Sequence, residues 1–376
     1  MNVLWVKDKK IGHEKQVKAL LDELSKSNEI NIFEDEISIT FEEKLIGHLY
    51  TFNNKLGRLF NALNNFLGSG SEESFSWFIQ RLYKDKNIDI IIGAGHGTYA
   101  RILQLKEALS LKLIPTSKIA AKDFMSSHYE KDKNTNIKAI AVLTPSFRLK
   151  DFDLICAPNH DSHRLKTIDS NNKIFYEGSL AKVYDQLPNE DIGFIGLGGK
   201  SKHFRFEVLN IFKQIQYVTS LFPSKTWYIF NSRRTPKELN KLIIDYIEIN
   251  KITNVSFENY NDTNICSYEE IISQSSIKVV TQDSVNMIYE SLSSRGETIL
   301  FNMNYIKMNK IVGLVHNLLK NKKVGYIDDG DLTNGLKAMK IVKQHDRTLY
   351  AEVEKLSYKI NKYCLLYTSD AADDRI

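Results

Sequence analysis

Short, nearly continuous apolar runs alternate with helical stripes along most of this chain. The runs are Val3–Val6, Ile88–Ile92, Ile137–Leu143 and Phe152–Ala157, then Ile192–Leu197, Trp227–Phe230, Val255–Phe257, Ile277–Val280 and Thr298–Phe301. Such brief runs suit strands buried on both faces of a parallel sheet. Between them apolar residues recur every three or four positions, at Phe204, Val208, Ile211, Ile215 and Val218 and again at Leu239, Leu242, Ile243 and Ile247. That is the period of a helix with one buried stripe. Strand–helix alternation predicts a doubly wound α/β fold. It restarts near Asp191, after the segment Asp185–Glu190 with Pro188. The pattern therefore predicts two Rossmann-like domains, over 1–185 and 186–345, facing across a cleft of strand-end loops, and a C-terminal helix over 346–363.

One stripe stands apart. Leu45, Leu49, Phe52, Leu56, Leu59, Leu63 and Phe66 keep a strict four–three spacing, closed by Gly68-Ser69-Gly70. Such a helix either packs on its own domain or lies on a membrane surface. Its neighbouring charges, Glu42, Glu43, Lys44, Lys55 and Arg58, nearly cancel, which weakens the second reading.

The 376 residues suffice for two cores. A net charge of +5, spread along the chain, suits an anionic small molecule or membrane face and argues against nucleic acid, which calls for clustered Lys and Arg. The three cysteines, Cys156, Cys266 and Cys364, lack any paired spacing, so neither disulfide framework nor zinc site is expected and a reducing cytoplasm fits. No apolar run reaches the length of a membrane span, and the run after Met1 is too short for a signal peptide. Residues 364–376, from Cys364-Leu365-Leu366-Tyr367-Thr368-Ser369 onward, read as a translated transposon end and adapter, and are expected to be non-native. The abundance of Lys, Asn and Ile points to an AT-rich microbial genome.

Chemistry should gather in the loops after the strands. In the first half these hold Gly12-His13-Glu14, Gly95-His96-Gly97 and Asn159-His160-Asp161. In the second half, Gly198-Gly199-Lys200-Ser201 precedes a helix and suits an anion, although neither a Walker nor a GxGxxG spacing is present. Ser232-Arg233-Arg234-Thr235-Pro236 offers two guanidinium groups, with Thr235 as expected N-cap and Pro236 as first helical residue. Thr281–Glu290 follows a strand; Asp283 or Ser284 should cap its helix, and Glu290, two turns on, would face the same way. An acid there can accept hydrogen bonds from a ribose diol while helix N–H groups hold phosphate.

Taken in order, Gly12–Gln16, Ala157–Asp161, Gly198–Ser201, Ser232–Pro236 and Thr281–Glu290 resemble the motifs of the mitochondrial-fission "elongated mitochondria" family, over about residues 1–330. Bacterial members of that family are regarded as glycosyltransferases. This chain departs from the usual pattern at Lys15, at Asn159, at Asn286 in place of a serine, and at His96 where basic residues are common. The Thr281–Glu290 helix more distantly resembles the nucleotide-sugar helix of peptidoglycan N-acetylglucosaminyltransferases. The resemblance implies GT-B architecture and a nucleotide-sugar donor, with an envelope saccharide or lipid-linked acceptor.

In that light the expected donor site is Gly198, Gly199, Lys200, Ser201, Ser232, Thr281, Asp283, Ser284 and Glu290, with Arg233 or Arg234 stabilising the departing charge. Gly12, Gly95, His96, Gly97, Asn159, His160 and Asp161 form the expected acceptor side, and His13 and Glu14 are the first candidates for general base. Neither cofactor nor metal is expected, because no Asp-x-Asp falls at a strand's carboxyl end. The expected location is cytoplasmic, or peripheral on the inner face of the cytoplasmic membrane. The rival readings are a non-catalytic adaptor, the role of the plant members, and a nucleotide-sugar epimerase.

Overall fold

The computed structural model describes residues 1–37, 82–113, 129–131, 136–262, 266–328, 330 and 339–373. The stripe from Leu45 to Phe66 lies outside them. The chain divides into two compact units, Met1–Glu177 with Lys355–Ile376, and Gly178–Glu354.

The first unit opens with β1 (Asn2–Lys7), whose Val3, Leu4, Trp5 and Val6 are buried, and α1 (Ile11–Ser25). Then come β2 (Asn31–Glu36), β3 (Ile90–Ala94), α2 (His96–Leu109) and a short hairpin of β4 (Leu111–Leu113) and β5 (Tyr129–Lys131). β6 (Lys138–Val142), β7 (Leu154–Pro158) and β8 (Lys173–Tyr176) follow. The main sheet runs β2-β1-β3-β6-β7-β8, all parallel. The apolar pattern misses β2 for a physical reason. As an edge strand, of alternately exposed residues, it buries only Asp35, whose carboxylate accepts from the Tyr83 hydroxyl at 2.9 Å and from Arg101 Nε at 2.8 Å.

The second unit carries β9 (Asn189–Gly196), α3 (Val208–Leu221), β10 (Thr226–Phe230), α4 (Lys237–Ile249), β11 (Val255–Glu258), α5 (Tyr268–Gln274) and β12 (Ser275–Val280). After these come α6 (Val285–Leu292), β13 (Glu297–Leu300), α7 (Lys310–Lys320), β14 (Gly325–Asp328) and β15 (Lys340–Val342). The sheet order is β11-β10-β9-β12-β13-β14-β15, parallel apart from β15. Each unit has its own apolar core, one around Leu4, Ile91, Ile102 and Phe152, the other around Phe194, Trp227, Val279 and Leu300. The fold is thus α/β, with two Rossmann-like units.

Three boundaries differ from the sequence reading. The units part after Glu177 and not at 185, because the linking segment already packs on the second unit: Leu180 and Ala181 are buried, and Tyr184 N–H donates to the Ser293 carbonyl at 2.9 Å. Turn-forming residues mark only where the next strand starts. The helix expected from Phe204 begins at Val208; Phe204 is buried in a loop that bridges to Tyr305. The C-terminal helix, α8 (Glu352–Asp373), starts later than 346 and belongs from Lys355 to the first unit.

Val353, Leu356 and Ile360 of α8 are buried, and Tyr363 donates to the Asp153 carbonyl at 2.8 Å. Removing residues 364–376 should therefore leave the thermal midpoint unchanged, whereas Ile360→Ala should cost about 2–5 kcal/mol in urea titration. A fall in midpoint on truncation would show that the tail is part of the fold.

Lys278 lies wholly buried on β12, its Nζ on three uncharged oxygens: the Ser294 carbonyl and Oγ, both at 2.8 Å, and the Arg295 carbonyl at 2.5 Å. Burial pushes its pKa down from 10.5 to about 7. Between those values the unfolded chain binds the extra proton, so folding stability rises with pH. Relative to Lys278→Met, the wild type should gain up to about 1.4 kcal/mol per pH unit between pH 7 and 10. A pH-independent difference in urea midpoints would show that the three oxygens keep the ammonium charged.

Candidate functional site

In the second unit β9 is the first strand and β12 the fourth, and they lie side by side. Chains leaving such neighbours go to opposite faces of the sheet and open a crevice at the carboxyl ends, where ligands of doubly wound folds sit. The loops after β9, β10 and β12 meet there around one buried acid. Asp283 Oδ2 accepts from the Gly199 N–H at 2.9 Å and from Arg234 Nη2 at 2.9 Å. The Asp283 side chain is 0% exposed and Arg234 45%. Its other oxygen, Oδ1, is buried with no hydrogen-bond partner among the described residues.

The rest of the cluster closes on itself. Gly198 N–H donates to Thr281 Oγ1 at 2.8 Å, Ser232 Oγ to the Gly198 carbonyl at 2.8 Å, and Arg234 Nη1 to the Lys200 carbonyl at 3.2 Å. Lys200 N–H reaches the Arg234 carbonyl at 3.3 Å. Ser201 Oγ accepts from His203 N–H at 3.2 Å and Phe204 N–H at 3.1 Å. The two glycines are needed for this approach. A β-carbon at Gly198 would stand 2.4 Å from both Asp283 oxygens, and one at Gly199 would stand 1.9 Å from the Arg234 carbonyl oxygen. Lys200, Lys202 and Arg233 line the rim as exposed cations.

Two capping expectations are corrected. Thr235 is not the N-cap of α4; Pro236 is. The Thr235 hydroxyl instead accepts the Ser232 N–H at 2.8 Å and donates to the Gly198 carbonyl, tying β10's loop to β9's. At α6 the N-cap is Ser284, without a side-chain bond, and Asp283 turns away to Gly199 and Arg234. The first-turn N–H groups of α6 are thus left without an Asp or Ser side-chain cap, and they have no intrahelical acceptors.

Glu290 is half-buried, and its Oε2 accepts from the Tyr268 hydroxyl at 2.6 Å. Tyr268 opens α5 and so stands at the carboxyl end of the sheet; its ring packs edge-on against Phe194 and Phe230, each at 5.4 Å. Burial first, then the Glu290 charge, raises the phenol's pKa well above 10.0, so it stays a donor to Glu290. Nothing in the sequence singled out Tyr268, since no motif joins it to Glu290.

The first unit builds a different cluster at its own switch point, between β1 and β3. His13 lies in the first turn of α1, 26% exposed, with Nδ1 2.9 Å from Oδ2 of Asp8, whose side chain is 2% exposed. Lys10 N–H donates to Asp8 Oδ1 at 3.2 Å. Gly95, at φ +86°, lies against the His13 ring; a β-carbon there would be 2.2 Å from Cε1 and Nδ1. Glu14 is half-buried on the same turn, and His96 and Gly97 open α2 exposed, with His96 beside Phe147. Asn159, His160 and Asp161 begin the turn after β7, where buried Asp161 lies 3.8 Å from Arg164. Tyr99 joins these loops: Gly95 N–H donates to its hydroxyl at 3.1 Å, and both Asp8 and Asp161 act on its charge. Asp8 was missed in the sequence, although an acid directly after an apolar strand was a usable signal.

Burial opposes the Asp8 charge, but the hydrogen bond and charge of His13 and the Lys10 N–H outweigh it and hold the carboxyl below its ordinary 3.8. Such a group adds stability that is full above 3.8 and is lost as pH falls through the depressed folded value. The wild type's advantage over Asp8→Asn in urea should be flat from neutral pH to about 4 and shrink below it. An advantage that persists at lower pH would deny the coupling to His13.

Among the described residues, no group of three or more His, Cys, Asp or Glu side chains is placed to hold a metal ion, and no helix is long and apolar enough to cross a membrane.

Two parallel-sheet α/β units, each with polar loops gathered at its switch point, define a Rossmann-like protein of the class that binds ligands at strand ends. The chain belongs to the mitochondrial fission ELM1 family: the family's sequence profile matches residues 123–347, more than half of the chain. No curated protein matches it in sequence. Among solved structures it is similar to the UDP-GlcNAc 2-epimerase from Methanocaldococcus jannaschii, with 12% identity, 84% of this chain and 92% of that one covered, and a TM-score of 0.44. The S. aureus MnaA–UDP co-structure is similar over 98% of this chain and 97% of that one, at 10% identity and a TM-score of 0.48. A glycosyltransferase from Rickettsia africae covers 97% and 88%, at 13% identity and a TM-score of 0.40.

Proposed function

We propose that this chain is a GT-B glycosyltransferase that moves a sugar from a nucleotide-sugar donor to an envelope saccharide or lipid-linked acceptor. The observation that carries the reading is the loop cluster at the β9/β12 switch point, where the start of α6, without a side-chain cap from Ser284, and exposed cations meet. A diphosphate there would face the first turn of α6, starting at Ser284, and the side chains of Lys200, Arg233 and Arg234. The N–H groups of Gly198 and Gly199 serve the loop itself, fixing it through Thr281 and Asp283. Ser201 and Ser232 shape the same turns. Glu290, aimed by Tyr268, accepts from ribose hydroxyls.

In the reaction, the acceptor oxygen bonds to the anomeric carbon as the bond from that carbon to the phosphate oxygen breaks. The arginines stabilise the charge that collects on the departing diphosphate. A base must take the acceptor hydroxyl proton. His13 suits this in the first unit: Asp8 holds Nδ1 and leaves Nε2 to receive the proton. Glu14 is the neighbouring carboxylate that could serve instead. Gly12, Gly95, His96, Gly97, Asn159, His160 and Asp161 would line the acceptor side. The reading requires no metal or cofactor, and places a bacterial enzyme in the cytoplasm or peripherally on the membrane's inner face.

Calorimetry with a panel of UDP, GDP, CMP and their sugars, without metal, should detect binding. Glu290→Ala should weaken it by about 1–3 kcal/mol. Arg233→Ala should weaken it with the thermal midpoint unchanged. Arg234→Ala should also lower the midpoint, because it strands the buried Asp283 charge. A folded protein that binds nothing in the panel, or binds equally well without Glu290 and Arg233, would sink the reading.

A further inference from the structure

The loop after β13 presents five consecutive exposed residues, Asn304–Met308, between buried Met303 and half-buried Asn309. Three are large and apolar: Tyr305 is 47%, Ile306 50% and Met308 54% exposed. This is not a slack excursion of the chain. It pairs antiparallel with the segment after Ser201. Arg205 N–H donates to the Asn304 carbonyl at 2.8 Å, and Ile306 N–H to the His203 carbonyl at 2.9 Å.

The ribbon so formed is anchored from below. Phe204 is 1% exposed in the apolar core. The Gln214 side chain of α3 holds both backbone groups of Asn302, at 2.9 and 2.7 Å. At the far end Asn309 caps α7, its Oδ1 accepting from Ile311 at 3.0 Å and Val312 at 3.3 Å. The apolar side chains between these anchors are therefore displayed by a fixed backbone, at a cost in exposed apolar surface that the fold could have avoided by burying them.

The charge around them is one-sided. Segments 202–207 and 304–310 carry Lys202, Arg205, Lys307 and Lys310 against Glu207 alone, and all five are exposed. Lys310 even opens α7, whose first turn has no acid, where the helix dipole disfavours a cation. Aliphatic and thioether prongs ringed by cations match the interface of an anionic bilayer, with apolar chains below and phosphates above. Nucleic acid would reward the cations and gain nothing from Ile306 and Met308.

We propose that this ribbon docks the protein on an anionic phospholipid surface, with Tyr305, Ile306 and Met308 entering the interfacial layer and Lys202, Arg205, Lys307 and Lys310 meeting the headgroups. The proposal gives a surface to the peripheral placement in the reading above and rests on that reading only for its purpose, access to a lipid-linked acceptor.

Co-sedimentation of the full chain with phosphatidylcholine vesicles, with and without phosphatidylglycerol, tests it. Binding should need the anionic lipid and weaken with salt. Each charge removal, Arg205→Gln or Lys307→Gln, should lower partitioning by about fivefold. Ile306→Ser with Met308→Ser should abolish it, with the thermal midpoint unchanged. In Ile306→Trp, the emission gained over wild type should shift to the blue on adding anionic vesicles. Nucleotide binding should be the same in all these variants, so failure of the membrane face and failure of the transferase reading are separable. Wild-type protein that stays in solution with anionic vesicles, binds neutral ones equally, or binds as well with the serine pair would overturn the proposal. So would an added emission in the Ile306→Trp variant that does not move, or retention on a nucleic acid column without vesicle binding.

Discussion

The second unit's site depends on a carboxylate buried where three strand-end loops converge. Asp283 is inaccessible to solvent and takes its compensation from one half-exposed guanidinium and one backbone N–H. Removing a carboxylate from water is costly unless it is paired and hydrogen-bonded. The surrounding geometry follows from that constraint. Gly199 has no side chain because the Arg234 backbone passes where one would sit, and Gly198 has none because Asp283 does. Thr281 and Thr235 turn inward to hold the same loop through Gly198. Since Asp283 is drawn into this cluster, it does not cap α6, whose N-cap, Ser284, makes no side-chain cap bond.

The first unit solves a related problem in another way. It too buries an acid at its switch point, but the partner of Asp8 is the imidazole of His13. Asp8 holds Nδ1 of the ring, and Gly95, at positive φ and without a side chain, lets the ring approach the chain closely. The second unit offers a guanidinium, which suits an anion, and the first an imidazole nitrogen, which suits a hydroxyl.

Much of the fold was legible because burial on both faces leaves a plain mark in the sequence. Val3–Val6, Trp227–Phe230 and Ile277–Val280 could be read as strands, and the restart of the pattern near Asp191 gave two units. Strands that bury little, such as β2 with its one buried Asp35, left no such mark. The segment Asp185–Glu190 reads as the boundary while the units part after Glu177, because turn residues report local backbone preference and not the surface on which the chain packs. The site was legible only as a set of loops. Which groups pair within them, such as Arg234 with Asp283 or Tyr268 with Glu290, joins residues distant in sequence and carries no local signal.

The choice between enzyme and adaptor turns on the cost of these polar clusters. A scaffold that only recruits a partner is served by its outer surface, and its strand-end crevices could be filled with well-packed apolar side chains at no loss and some gain in stability. This chain instead keeps a buried carboxylate with one oxygen unpartnered among the described residues, a tyrosine hydroxyl donating to a half-buried glutamate, and a histidine held by a buried aspartate. Buried polar arrangements are often no more stable than apolar side chains of the same volume, and each of these stands where doubly wound folds hold ligands. Stability alone gives no reason for any of them, whereas the proposed transferase reading gives each a use: binding an anion, orienting a sugar nucleotide, or accepting a proton. That asymmetry between cost and placement is what supports the catalytic reading over the adaptor.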